Sequence, residues 1–168
     1  AFALSGQIAP NYSIFVDSAW GKLGSSEITG TYSQSWHPHN FRFLLKGECL
    51  PTDINNWFGK GWKSIWDEFA FTDEIPHGDF SVSGNWQNPK TSTITHGTAK
   101  TGSFSYRDLS TNESILTVYA DGNNTQIKAS ANHDKGHLYG NLTIPRNLGS
   151  VDNPLSFQLK GDFPLNEG

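Results

Sequence analysis

One cysteine, no methionine and few charges set the first limits on this chain. Cys49 alone closes no internal disulfide, so a disulfide framework does not hold the fold. Its place in the apolar-periodic run FRFLLKGECL makes it a buried structural thiol rather than a nucleophile. Charged residues are only 17% of the total, and 12 Lys and Arg against 16 Asp and Glu give a formal net charge of −4. A protein that grips a phosphate backbone needs a basic footprint, and none is present, so nucleic acid is not an expected partner. No apolar run nears the ~20 residues of a membrane-spanning helix, and no residue run here is expected to be the apolar core of a secretory leader. The first residues, AFALSGQ, already alternate like a strand, and the chain is expected to be a mature piece or fragment of a longer protein. There is no G-x-S-x-G elbow, phosphate loop or dinucleotide fingerprint. No catalytic residue and no cofactor are expected.

What the chain does have is 17 Gly and 8 Pro among abundant Ser, Thr and Asn, the punctuation of many short strands and turns, in 168 residues that suffice for one domain. A phrase of the form apolar-x-apolar-x-Gly recurs at Phe2-Ala-Leu4-Ser-Gly6, Phe43-Leu-Leu45-Lys-Gly47, Phe80-Ser-Val82-Ser-Gly84 and Phe157-Gln-Leu159-Lys-Gly161, with a looser copy at Glu27–Thr31. The alternation puts Phe, Leu or Val on one face and Ser, Lys or Gln on the other, as a half-buried antiparallel strand requires. GSFSYRDL, SILTVYA, TQIKASA and GHLYGNLTIP follow the same logic. The clusters at Asp121–Asn124 and Asp134–Gly136 carry tight-turn chemistry that joins neighbours into a meander. The expected fold is all-β: a curved, mainly antiparallel sheet, trough or open sandwich, of about ten strands at the spacing typical of such architectures. It reads as a single β-rich domain over residues 1–168, with strands in 1–50, a Trp-rich helix in 51–71 and a strand array in 78–163. If the sheet stays open, its terminal stretches Ala1–Gln7 and Asn153–Phe163 belong at opposite ends of the array.

The segment PTDINNWFGKGWKSIWDEFAF is the exception to the strand period. Ile54, Trp57, Phe58, Trp62, Ile65, Trp66 and Phe69 fall on one stripe of a short amphipathic helix, with Asp53 as its N-cap. Gly59 and Gly61 each weaken a helix by ~1 kcal/mol, so the stripe needs a docking surface: the end of a sheet, or the boundary of a membrane, where Trp is at home.

Candidate chemistry is sparse. His37 and His39 flank a proline, and His133 and His137 straddle Gly136, with no Cys or carboxylate at matched spacing, so no metal site is expected. Asp67, Glu68, Asp73 and Glu74 suit a solvated charged face better than the acid pair of a glycoside hydrolase. Sequons at Asn11, Asn112, Asn123 and Asn141 matter only where secreted proteins are glycosylated.

Over roughly residues 78–145 the order of motifs is a strand ending Gly84-x-Trp86, then Asn88-Pro89, His96-Gly97, the strand Phe104-x-Tyr106-Arg107-x-Leu109, and Asp121-Gly122-Asn123. This order resembles the repeating β-rich part of the large AsmA-like envelope proteins, the group that includes TamB-like members. The Trp-rich segment departs from the plain strand repeat and reads as an insertion or as a boundary between strand runs. The resemblance implies a long β-sheet curved into a trough with an apolar interior, in the periplasm or cell envelope. It also implies phospholipid or another acyl-chain ligand, or a part in outer-membrane assembly, with neighbouring repeats of the same protein as partners. It supplies no catalytic residue.

A strand array with one continuous apolar face must close, pair with a second sheet, or leave that face to a ligand. The groove-lining residues on the third alternative are Phe41, Phe43, Leu45, Phe80, Val82, Phe104, Tyr106, Leu116, Val118, Leu142, Ile144, Phe157 and Leu159. The competing function is a carbohydrate-binding β-sandwich with some of Trp20, Trp36, Trp57, Trp62, Trp66 and Trp86 stacked on sugar rings, which demands coplanar exposed indoles.

Overall fold

Strand alternation dictates a sheet with two unlike faces, and hydrogen-bonded register decides whether neighbouring strands agree on which face is apolar. In the computed structural model, which describes residues 1–9, 13–53, 67–71, 74–107, 109–145 and 154–162, they agree across the whole array. The elements are β1 (Phe2–Ala9), β2 (Ser13–Leu23), β3 (Ser26–Gln34), β4 (Asn40–Glu48), β5 (Phe69–Phe71), β6 (His77–Asn85), α1 (Pro89–Ser92), β7 (Ile94–Thr101), β8 (Phe104–Tyr106), β9 (Leu109–Thr111), β10 (Glu113–Ala120), β11 (Asn124–His133), β12 (Gly136–Pro145) and β13 (Ser156–Asp162). Ten strands form one open sheet in the order β1-β2-β3-β4-β6-β7-β10-β11-β12-β13, every pair antiparallel. A second, three-stranded sheet has the order β5-β8-β9.

The meander puts β1 on one edge and β13 on the other, so the terminal strands stand at opposite ends of the array, as the open-sheet expectation required. Among the described residues the irregularity in the large sheet's ladders lies in β2. Val16 and Ala19 are three positions apart and would fall on opposite faces of a regular strand; the register shift around Asp17 and Ser18 brings both back to the same side.

Turns close the hairpins with local chemistry. In the β10–β11 turn the Asp121 carboxylate accepts from the backbone N–H groups of Asn123 at 2.7 Å and Asn124 at 2.9 Å, which lowers its pKa from 3.8. A carboxyl group whose folded pKa is depressed adds stability above its unfolded pKa and loses it as the pH falls through the folded value. Acidifying from pH ~5 to ~2 is therefore expected to destabilise the wild type more than Asp121→Asn, as read from thermal unfolding midpoints across that range. Equal acid sensitivity in the two proteins would contradict this role for the turn.

Two expectations are corrected. Phe69 is not part of a helical stripe but the first residue of β5, paired with Tyr106. The remaining stripe residues, Ile54, Trp57, Phe58, Trp62, Ile65 and Trp66, lie outside the described residues. Phe104 and Tyr106 form β8, in the small sheet and not in the large array, because β8 and β9 make an excursion between β7 and β10. The helix that Asp53 is expected to cap lies outside the described residues; the Asp53 Oδ2 accepts, in the β2–β3 hairpin, from Ser25 N–H and Ser26 N–H, each at 3.0 Å, and from the Ser26 hydroxyl at 2.7 Å.

No large hydrophobic side chain is buried among the described residues; the buried polar side chains are Ser13, Ser26 and Thr111. The apolar side of the sheet has no packed core over it within the described residues, which is what makes it the candidate site.

Candidate functional site

Residues directly opposite in an antiparallel pair share a face, so the register can be followed strand by strand. One row runs Leu4, Ala19, Gly30, Leu45, Phe80, Gly97, Val118, Ile127, Leu142, Phe157 through all ten strands. Beside it runs Phe2, Gly21, Ile28, Gly47, Gly78, Ala99, Leu116, Ala129, Gly140, Leu159. On its other side lie Gly6, Val16, Tyr32, Phe43, Val82, Thr95, Ala120, Thr125 and Ile144, with Phe41 beyond Phe43 in β4. None of these positions carries a charge, and only Tyr32 and the two threonines bring a hydroxyl. At a strand spacing of ~4.8 Å the rows cross about 43 Å, nearly three times the ~15 Å that one acyl chain contributes to a bilayer core.

All the groove residues named from the sequence in β4, β6, β10, β12 and β13 therefore share this face, while Phe104 and Tyr106 do not belong to it. The groove list omits Phe2, Leu4 and Ile8 of β1, Val16 of β2, Ile28 and Tyr32 of β3, Ile127 of β11 and Leu138 of β12, which the register adds. The signal for them is the same alternation, plain in FALSGQIA. The face is open among the described residues: Phe2 is 82% exposed and Phe157 78%, while Phe41, Val82, Val118, Ile127, Leu142 and Ile144 are half-buried and none is buried. Its relief is set by glycines under aromatic rings. The Phe80 ring lies over Gly97 and Gly78, where an added Cβ would come within 2.0 Å and 2.6 Å of ring carbons, so the ring lies flat on the backbone. Tyr32 and Phe43 stack across β3 and β4 at 4.5 Å, and Phe41 meets Phe43 edge-on at 5.9 Å.

The opposite face takes the charges. Lys46 stands opposite Asp79 and Thr29, and Lys22 is 3.7 Å from Glu27, which also accepts from the Trp20 indole at 2.9 Å. The two faces thus differ in chemistry along the whole width of the sheet, and none of the exposed apolar surface in the three rows is interrupted by an ion pair.

The small sheet gathers Phe69, Phe71, Phe104 and Tyr106 on one side, with ring centroids 4.7 Å apart for Phe69 and Tyr106 and 5.9 Å for Phe71 and Phe104. Arg107 clamps Glu68 through Nε at 2.7 Å and Nη2 at 3.1 Å. The guanidinium bonds, helped by Tyr106, hold the Glu68 carboxyl below its ordinary range. Glu68 is thus an ion-pair partner. Its pKa moves opposite to that of the raised carboxylic acid a glycosidase needs.

Trp36 and Trp86 do come together, at 4.9 Å, but with their planes at 80°, and His39 meets Trp86 edge-on. The Trp86 indole donates to the Ser35 carbonyl at 3.2 Å, which ties the pair to the β3–β4 connection. His37 and His39 face each other as rings, and His137 Nδ1 sits 2.7 Å from Asn132 Oδ1; among the described residues no group of three or more metal-ligating side chains forms. Burial pushes the Cys49 thiol up, away from the lowered pKa of a reactive cysteine. No helix among the described residues is long and apolar enough to cross a membrane. No family model, curated protein or solved structure matches this chain.

Proposed function

We propose that this chain is a non-enzymatic segment of an AsmA-like cell-envelope protein, whose apolar sheet face holds acyl chains in support of phospholipid transport or outer-membrane assembly in the periplasm. The observation that carries the reading is the charge-free apolar surface continuous through ten strands and open among the described residues. Acyl chains make almost no polar demands, whereas a charge on such a face would go unpaired. Curving of the sheet toward its apolar side into a trough belongs to this proposal.

Neighbouring repeats of the same protein are the proposed partners at the edges. Ten antiparallel strands leave β1 and β13 running in opposite directions. A further repeat of like orientation, added at either edge, therefore pairs antiparallel and keeps its apolar face on the same side. β1 offers FALSGQIA with no charge to deter such pairing.

The carbohydrate reading draws on Trp36 and Trp86, yet two indoles at 80° present no common plane for a sugar. Native mass spectrometry of the gently purified protein is expected to show retained phospholipid. Absence of lipid together with glycan-array binding that falls in Trp86→Ala would overturn the lipid reading in favour of carbohydrate.

A further inference from the structure

The polar face carries a second surface feature that acyl-chain binding does not use. Over β10 to β13 lies an open depression of about 320 Å³ whose lining includes Lys128, Ser130, Tyr139, Asn141, Gln158 and Lys160, and no carboxylate. Lys128 is directly opposite Asn141, which is opposite Gln158; Ser130 is opposite Tyr139, which is opposite Lys160. Two strands and two residues separate the lysine Cα atoms, about 12 Å from strand spacing and rise, so two flexible side chains reach the same point between them. Among the described residues neither lysine forms an ion pair, in contrast to Lys22 with Glu27. The nearest carboxylates by register, Glu113 and Asp162, stand one row further out beside Asn132 and His137, and Glu113 already accepts from Asn132 at 3.4 Å.

We infer that this depression is an anion site for a phosphate group. Two ammonium groups supply charge, and the Asn141 and Gln158 amides and the Ser130 and Tyr139 hydroxyls supply donors around them, a set that suits a multi-oxygen anion. A solvated polar face would be expected to intersperse the two signs of charge; here two cations line one depression with no carboxylate in the lining. The site lies on the opposite side of the sheet from the apolar rows, so it stands or falls independently of acyl-chain binding. Free phosphate and a lipid headgroup share the chemistry.

The test is an NMR titration of the folded chain with inorganic phosphate, and separately with vesicles of phosphatidylcholine with and without phosphatidylglycerol. Saturable shifts centred on Lys128, Tyr139, Asn141 and Lys160 are expected with phosphate. They should weaken at least tenfold in Lys128→Gln and Lys160→Gln, both exposed substitutions, and persist in Lys46→Gln. Vesicle binding that requires phosphatidylglycerol and fails in the same two variants assigns the site to a headgroup; phosphate shifts without vesicle binding assign it to a free phosphate. Shifts spread evenly over all lysines, no saturable shift with either probe, or unchanged binding in both variants would overturn the site.

Discussion

Phe43→Asp and Val82→Arg are each expected to abolish retention of phospholipid while leaving the protein folded. The two residues are opposite each other at the middle of the sheet, on β4 and β6, with Tyr32 and Thr95 as their outer neighbours in the row and Leu45 and Phe80 beside them in the next. A charge there introduces a hydrated group into the surface on which an acyl chain would lie, and an unpaired charge under an acyl chain costs several kcal/mol. Phe43 is 38% exposed, however, so without lipid the new carboxylate reaches water. The lost Tyr32 and Phe41 ring contacts should then lower stability by only about 1–2 kcal/mol. A sealed sandwich core behaves otherwise: the same substitution would remove more than ~4 kcal/mol and unfold the domain. Lipid content by native mass spectrometry and the urea midpoint, measured on the same preparations, separate the two cases. Loss of fold with no lipid in the wild type would reject the open face.

The largest effect on stability is expected at the Asp53 latch. One carboxylate oxygen accepts from the two backbone N–H groups of the β2–β3 turn and from the Ser26 hydroxyl, and that hydroxyl oxygen in turn accepts from the Leu50 N–H at 2.9 Å. Ser26 is 2% exposed, so water does not replace a lost partner easily. Asp53→Ala should destabilise by about 2–3 kcal/mol, and Ser26→Ala by about 1–3 kcal/mol because it strands the Leu50 donor. The double variant should fall short of the sum, since both changes break the same network. Strict additivity in urea unfolding would show that the two groups act separately.

The latch also shows where the sequence stops being legible. Asp53 precedes an apolar stripe of helical period, which is the usual signature of an N-cap, but the hydrogen bonds recorded for its carboxylate reach back 27 and 28 residues to the hairpin, a pairing that local pattern cannot announce. Phe69 extends the stripe by periodicity and still pairs as a strand, since three residues, FAF, are too few to display a period of two against one of 3.6. GSFSYRDL alternates like the array strands, so nothing local separates it from them; the excursion follows from β7 pairing directly with β10. By contrast, the apolar-x-apolar-x-Gly phrase carried the sidedness of the sheet. Each copy puts its two large residues on one face whatever the loops do, and antiparallel register transmits that choice from β4 to β6 and onward to β13. At the shift around Asp17 the alternation alone gives the wrong face, and the ladder repairs it.

Photo-crosslinking with a phosphatidylcholine that carries a photoreactive group on its acyl chain tests the central claim most directly, because it reports which side of the sheet the chain touches. Adducts mapped by peptide mass spectrometry are expected on Leu45, Phe80, Val118, Ile127 and Leu142, and not on Ser81, Thr117, Lys128 or Asn141, which alternate with them along the same strands. Adducts on the polar set, or spread equally over both, would contradict an apolar face that holds acyl chains.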